Sequence, residues 1–99
     1  MTSIHPAINQ LVSDIAARFP VNRVLLFGSR AREDDLPRAD VDIAIDAPEL
    51  TDTQWFAILD LVEEAPTLLK IDCVHLQKQN GAFLKAILRD GKPLYERKK

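Results

Sequence analysis

Val24-Leu25-Leu26-Phe27-Gly28-Ser29, ten further residues, then Asp40-Val41-Asp42-Ile43-Ala44-Ile45 is the stretch on which the fold turns. The apolar run 24–27 and the β-branched alternation of 40–45 both read as strands, joined by a polar segment that begins at a glycine turn. Side chains two apart on a strand point the same way. Asp40 and Asp42 therefore share one face while Val41, Ile43 and Ile45 share the other. Two carboxylates held that close repel unless a cation lies between them, and magnesium, a hard ion that prefers oxygen ligands, is the natural candidate.

Working outward, Ile8, Leu11, Val12, Ile15, Ala16 and Phe19 recur at helical spacing behind Pro6, which predicts a first helix ending before Pro20. Arg30-Ala31-Arg32-Glu33 suits a short helical turn, and Asp34 to Ala39 reads as a polar loop. Thr51 and Gln54 have the spacing of a capping box, and Trp55, Ile58, Leu59 and Val62 supply the buried stripe of a second helix. Leu69 to Leu76 reads as a third strand, with Ile71, Cys73 and His75 on one face and Asp72 and Val74 on the other. Asn80 is placed to cap a last helix carrying Phe83, Leu84, Ile87 and Leu88, with Gly91 as a left-handed stop. Leu94-Tyr95 either pairs as a short final strand or packs as an irregular tail, and Glu96 to Lys99 reads as a solvated end.

The order helix, strand, strand, helix, strand, helix predicts an α/β (α+β) domain, a small mixed sheet flanked by helices. The link between the first two strands is long enough for either a parallel crossover or a wide antiparallel loop, so its length leaves the direction open. Ninety-nine residues, 46% hydrophobic, make one domain, 1–99, with a single core and no room for a separate acceptor-binding domain. A net charge of −2 argues against a broad cationic face for nucleic acid. No stretch is apolar enough for a membrane span and Met1 to Pro6 does not resemble a signal peptide, so the cytoplasm is the expected compartment. Cys73 is the only cysteine and reads as a small buried hydrophobe; with His5 and His75 alone, zinc is not indicated.

Transfer of a nucleoside monophosphate from a triphosphate builds charge on the attacking and leaving oxygens, which two divalent ions can clamp. Asp40 and Asp42 fit the ligand role, and Asp72, mid-strand, is the best-placed third acid for activating an acceptor hydroxyl. Gly28 gives a tight turn close to a ligand, and Ser29 offers a hydroxyl and an amide for phosphates. Arg30 or Arg32 would either neutralise departing pyrophosphate or serve as ordinary surface charge. Asp46 reads as a strand-end residue, His75 as a packed or hydrogen-bonded histidine and Trp55 as core.

Gly28-Ser29, ten residues, Asp40-Val41-Asp42 and a later strand acid, Asp72, resemble the signature of the DNA polymerase β-type nucleotidyltransferase superfamily. The small size and Gly28-Ser29-Arg30-Ala31-Arg32 make the chain similar to minimal nucleotidyltransferases of the MNT type, often antitoxins beside a HEPN-domain toxin. The resemblance implies that Gly28, Ser29 and Arg30 bind nucleotide and that Asp40, Asp42 and Asp72 are catalytic and bind Mg2+, with two ions expected. It further implies ATP as substrate and an AMP acceptor in a tyrosine of the partner toxin; whether the chain forms a homo- or hetero-oligomer is left open by the sequence. One departure is that Ala39 stands before the first acid, where the family commonly has serine. The alternatives are a non-catalytic antitoxin or binding module acting by occlusion, and transfer to a small molecule.

Overall fold

The computed structural model describes residues 6–28, 40–67 and 70–97, with only the backbone of Asp40. In chain order the elements are α1 (Pro6–Arg18), β1 (Arg23–Phe27), β2 (Asp40–Asp46), α2 (Asp52–Glu64), β3 (Lys70–His75), a 3-10 turn (Leu76–Lys78), α3 (Gly81–Asp90) and β4 (Lys92–Glu96). The strands form a sheet in the order β3-β2-β1-β4. β1 is antiparallel to both neighbours and β2 is parallel to β3, which settles the direction that the link length left open. The expected mixed α+β sheet is thus present. The short helical turn expected at Arg30–Glu33, the loop Asp34–Ala39 and the start of the third strand at Leu69 lie outside the described residues.

Strand alternation divides the sheet into two chemically distinct faces. Val24 and Leu26 of β1 with Val41, Ile43 and Ile45 of β2 bury against Ile8, Leu11, Val12 and Ile15 of α1 and Ile58 of α2. The opposite face presents Leu25 and Ala44, buried with Leu76 and Ile87, while Phe27, Val74 and Leu84 pack around them. α1 and α2 therefore cover one face and α3 covers part of the other. The α2 stripe runs through Trp55, Ile58, Leu61 and Val62; Leu61 takes the place expected of Leu59 in the main cluster.

The capping box is formed: Gln54 N donates to Thr51 Oγ1 at 3.1 Å, and Thr51 N donates to Gln54 Oε1 at 3.0 Å. Removing it with Thr51→Ala should cost about 1 kcal/mol. That lowers the melting temperature by about 4–8 °C, a shift readable by differential scanning calorimetry.

Three expectations at the C-terminal end are corrected. Asn80 occupies the N-cap of α3 but its side chain makes no capping hydrogen bond. Gly91 is extended, with φ −65° and ψ 136°, not left-handed. A Cβ there would meet Ile87 O at 2.5 Å and Leu25 Cβ at 3.4 Å, so glycine is required by the close approach of the chain to α3 and β1. Of the four apolar α3 residues, Ile87 is buried and Leu84 is partly buried, but Phe83 and Leu88 are 46% and 50% exposed. Leu94-Tyr95 belongs to a true strand, β4, and so does Glu96; the register with β1 shifts between Val24 and Leu25, and Pro93 is accommodated on this edge strand.

Cys73 packs beside the main core, and burial pushes its thiol from 9.0 up to about 12. A thiol whose folded pKa is raised stabilises the fold fully below its unfolded pKa, and that contribution is lost as pH rises through the folded value. The window is therefore pH 9 to about 12. At pH 8 the thiolate fraction falls about 10³-fold relative to an unfolded chain. Reaction with a disulfide reagent at pH 8 should therefore be slower in the folded protein than in denaturant.

Candidate active site

At the C-terminal end of β1 the chain turns through Gly28, whose φ is +75°. This is the left-handed region, which glycine enters without steric cost. A second constraint comes from across the sheet. Phe27 is the register partner of Asp42, and a Cβ built on Gly28 would overlap Asp42 Oδ2 and stand 3.3 Å from Asp42 Cγ. The missing side chain is the space into which the Asp42 carboxylate leans.

On the other side of β2, Asp42 pairs in register with Asp72 of parallel β3. Neighbouring strands lie about 4.8 Å apart, so equivalent side chains on one face stand side by side. Asp42 is half-buried and Asp72 exposed. Asp40 opens β2, which runs one residue past the predicted 40–45, and its backbone pairs with Lys70. Ser29, Arg30, Arg32 and Ala39 fall outside the described residues. The described chain thus brings together Gly28, Asp42 and Asp72.

The donor chemistry at this end of the sheet is that of hard oxygen. Cys73 and Ile71 turn to the opposite face and pack on the main core. His75 is buried there too, with Nε2 3.0 Å from Ala47 O and its ring stacked on Trp55 at 5.3 Å between centroids. Among the described residues no three His, Cys, Asp or Glu side chains stand close enough together to hold a metal. Asp42 and Asp72 form a pair. An oxygen-only pair beside a tight turn suits magnesium, which keeps several waters and takes its remaining ligands from a phosphorylated substrate.

Asp46, the last acid of β2, belongs to a separate network at the far end of the strand. Arg23 Nε donates to its Oδ2 at 2.7 Å and Gln77 Nε2 to its Oδ1 at 2.6 Å, while Ala47 N donates to Gln77 Oε1 at 2.9 Å. These contacts tie β1, β2 and the 3-10 turn together and give Asp46 the strand-end role expected of it. A cavity of about 380 Å³ opens between the end of α2 and the start of β3, with Glu63, Thr67, Lys70 and Asp72 in its wall. Sequence reasoning did not anticipate the Phe27–Phe83 contact beside the acids, with ring centroids 5.8 Å apart and planes at 77°. Its one signal is that Phe27 directly precedes Gly28.

Among the described residues, a four-stranded mixed sheet with two helices on one face and one on the other, and a glycine turn packed against a strand aspartate, is consistent with the polymerase β-like nucleotidyltransferase fold. A family model described as polymerase beta, nucleotidyltransferase matches residues 9–99, and the chain belongs to that family. No curated protein matches the sequence. Among solved structures, a toxin–antitoxin complex with AMP-PNP contains a chain of TM-score 0.66 and 22% identity, matched over 92% of this chain and 72% of that one. The toxin–antitoxin complex MntA-HpeT, in a form with two aspartates changed to glutamate, gives 0.62 and 20%, over 91% and 70% of the two chains. The same complex with a tyrosine changed to alanine gives 0.60 and 22%, over 91% and 69%. Identities this low show a shared fold.

Proposed function

We propose that this domain is a magnesium-dependent nucleotidyltransferase of the minimal type that moves AMP from ATP to a tyrosine hydroxyl of a partner HEPN toxin, and so acts as a cytoplasmic antitoxin. The observation that carries the reading is the close packing of the Gly28 turn against the Asp42 carboxylate, with Asp72 in register beside it. Family membership supports nucleotidyl transfer. The toxin–antitoxin neighbours support the setting: one holds AMP-PNP, one carries two altered aspartates and one an altered tyrosine.

Asp42, Asp72 and Asp40 at the head of β2 are the residues that would hold Mg2+. When bound, the ions would supply charge neutralisation at the attacking and leaving oxygens. The chain's own contributions are positional. Gly28 lets the backbone amides of the turn, with Ser29 and Arg30 beyond it, approach the phosphates, because no Cβ stands between the turn and Asp42. Asp72, exposed on an edge strand, is open to an acceptor from outside the domain and would orient its hydroxyl or take its proton.

The test is to incubate the protein with ATP labelled at the α-phosphate, magnesium and a candidate HEPN-domain partner. Label should appear on a tyrosine of that partner and vanish when magnesium is chelated. Neutralisation of the partner with no label transferred would favour occlusion, and label on a small molecule alone would move the acceptor to that class.

A further inference from the structure

Phe83 is the third residue of α3, and its surroundings set it apart from the other exposed apolar side chains. Leu84 and Ile87 of the same helix sink into the layer formed by Leu25, Ala44 and Val74. Phe83 instead reaches the ring of Phe27, edge to face at 5.8 Å, and remains 46% exposed. Phe27 in turn is the register partner of Asp42, and paired residues of antiparallel strands share a face. On this face the helix cover ends and the carboxylates begin, and Phe83 stands at that border. Phe56, 63% exposed on α2, has no such position.

Resting on the nucleotidyl transfer reading, we propose that Phe83, propped by Phe27, is the stacking platform for the nucleobase of the triphosphate. A nucleotide whose phosphates meet the Gly28 turn and the acids must send its base along one of the flanks of that row. The flank beside Phe27 offers an aromatic surface whose outer part is already accessible, held by a ring contact that fixes its orientation at no cost on binding. Base–aromatic stacking reads the π-face and not the hydrogen-bonding edge. The site therefore favours purine over pyrimidine triphosphates by size of the stacked surface and separates ATP from GTP weakly.

The experiment measures magnesium-supported binding of ATP and of inorganic tripolyphosphate to the full chain, as wild type, Phe83→Ala and Phe83→Trp. Tripolyphosphate has the phosphates without the base. Phe83→Ala should weaken ATP by about 5- to 150-fold and leave tripolyphosphate unchanged, while Phe83→Trp keeps wild-type ATP affinity. Equal losses for both ligands would make Phe83 a structural prop and overturn the inference. Unchanged ATP binding by Phe83→Ala would overturn it as well, and if partner binding were lost at the same time the ring would belong to a protein-docking surface. A wild-type chain that binds neither ligand would bring down the nucleotidyl transfer reading together with this one, whereas ATP binding insensitive to Phe83 would bring down this one alone.

Discussion

Asp42→Asn is expected to lower nucleotidyl transfer about 10³-fold at saturating magnesium, because in its proposed role as a ligand to a catalytic ion the carboxylate would contribute several kcal/mol to the transition state. Asparagine keeps the shape of the side chain and removes its charge, so circular dichroism should show the wild-type fold. The position explains the size of the effect. Asp42 lies between the Gly28 turn on one side and Asp72 on the other, and is in contact with the first through its carboxylate. A rate equal to wild type would remove Asp42 from the site. Full neutralisation of the partner by a variant without transfer activity would show that covering the partner, and not modifying it, is what protects the cell.

Gly28→Ala should damage fold and activity together. An alanine at φ +75° costs about 1–2 kcal/mol in backbone strain. Its methyl group would also collide with Asp42 Oδ2, and overpacking of that kind adds about 1–3 kcal/mol. Against a total stability of about 5–15 kcal/mol, this should lower the melting temperature by about 10 °C or more. A carboxylate displaced by about 1 Å should by itself cost about 10²-fold in rate. Gly28→Asn separates the two causes. Asparagine tolerates the left-handed region better but still carries a Cβ, so it should recover part of the melting temperature and none of the rate. A Gly28→Ala chain with wild-type melting and transfer would contradict the close packing.

What the sequence discloses here depends on whether the deciding interaction is local. The two faces of β2 are legible because period two alone assigns Val41, Ile43 and Ile45 to one side, and the structure buries all three there. The capping box is legible because Thr51 and Gln54 meet within one turn of backbone. The antiparallel direction of β1 and β2 is not, since residues 28–39 can close either connection. Gly91 misleads for a similar reason: a glycine after a helix usually marks a left-handed residue, but here it is demanded by the distant Leu25 side chain and by Ile87 O. Phe83 and Leu88 have the spacing of core residues, but α3 packs on the sheet through Leu84 and Ile87, and Phe83 and Leu88 stay exposed. In the site, spacing marked Gly28, Asp42 and Asp72 as candidates; that Gly28 touches Asp42 follows from the Phe27–Asp42 register, which is a property of the assembled sheet.

The register of β3 on β2, which sets Asp72 beside Asp42, makes the fit of the site hostage to packing on the other side of the sheet. If β3 slid by one residue along β2, Cys73 or Ile71 would replace Asp72 beside Asp42, because a slip of one reverses every side chain of a strand. What prevents it is the set that points away from the acids: Ile71 and Cys73 on the main core, and His75 clamped between Trp55 and Ala47 O. The dry face of β3 acts as a vernier for the wet one, so substitutions beneath α2 that no substrate ever meets would misalign the carboxylates while leaving every one of them in the chain.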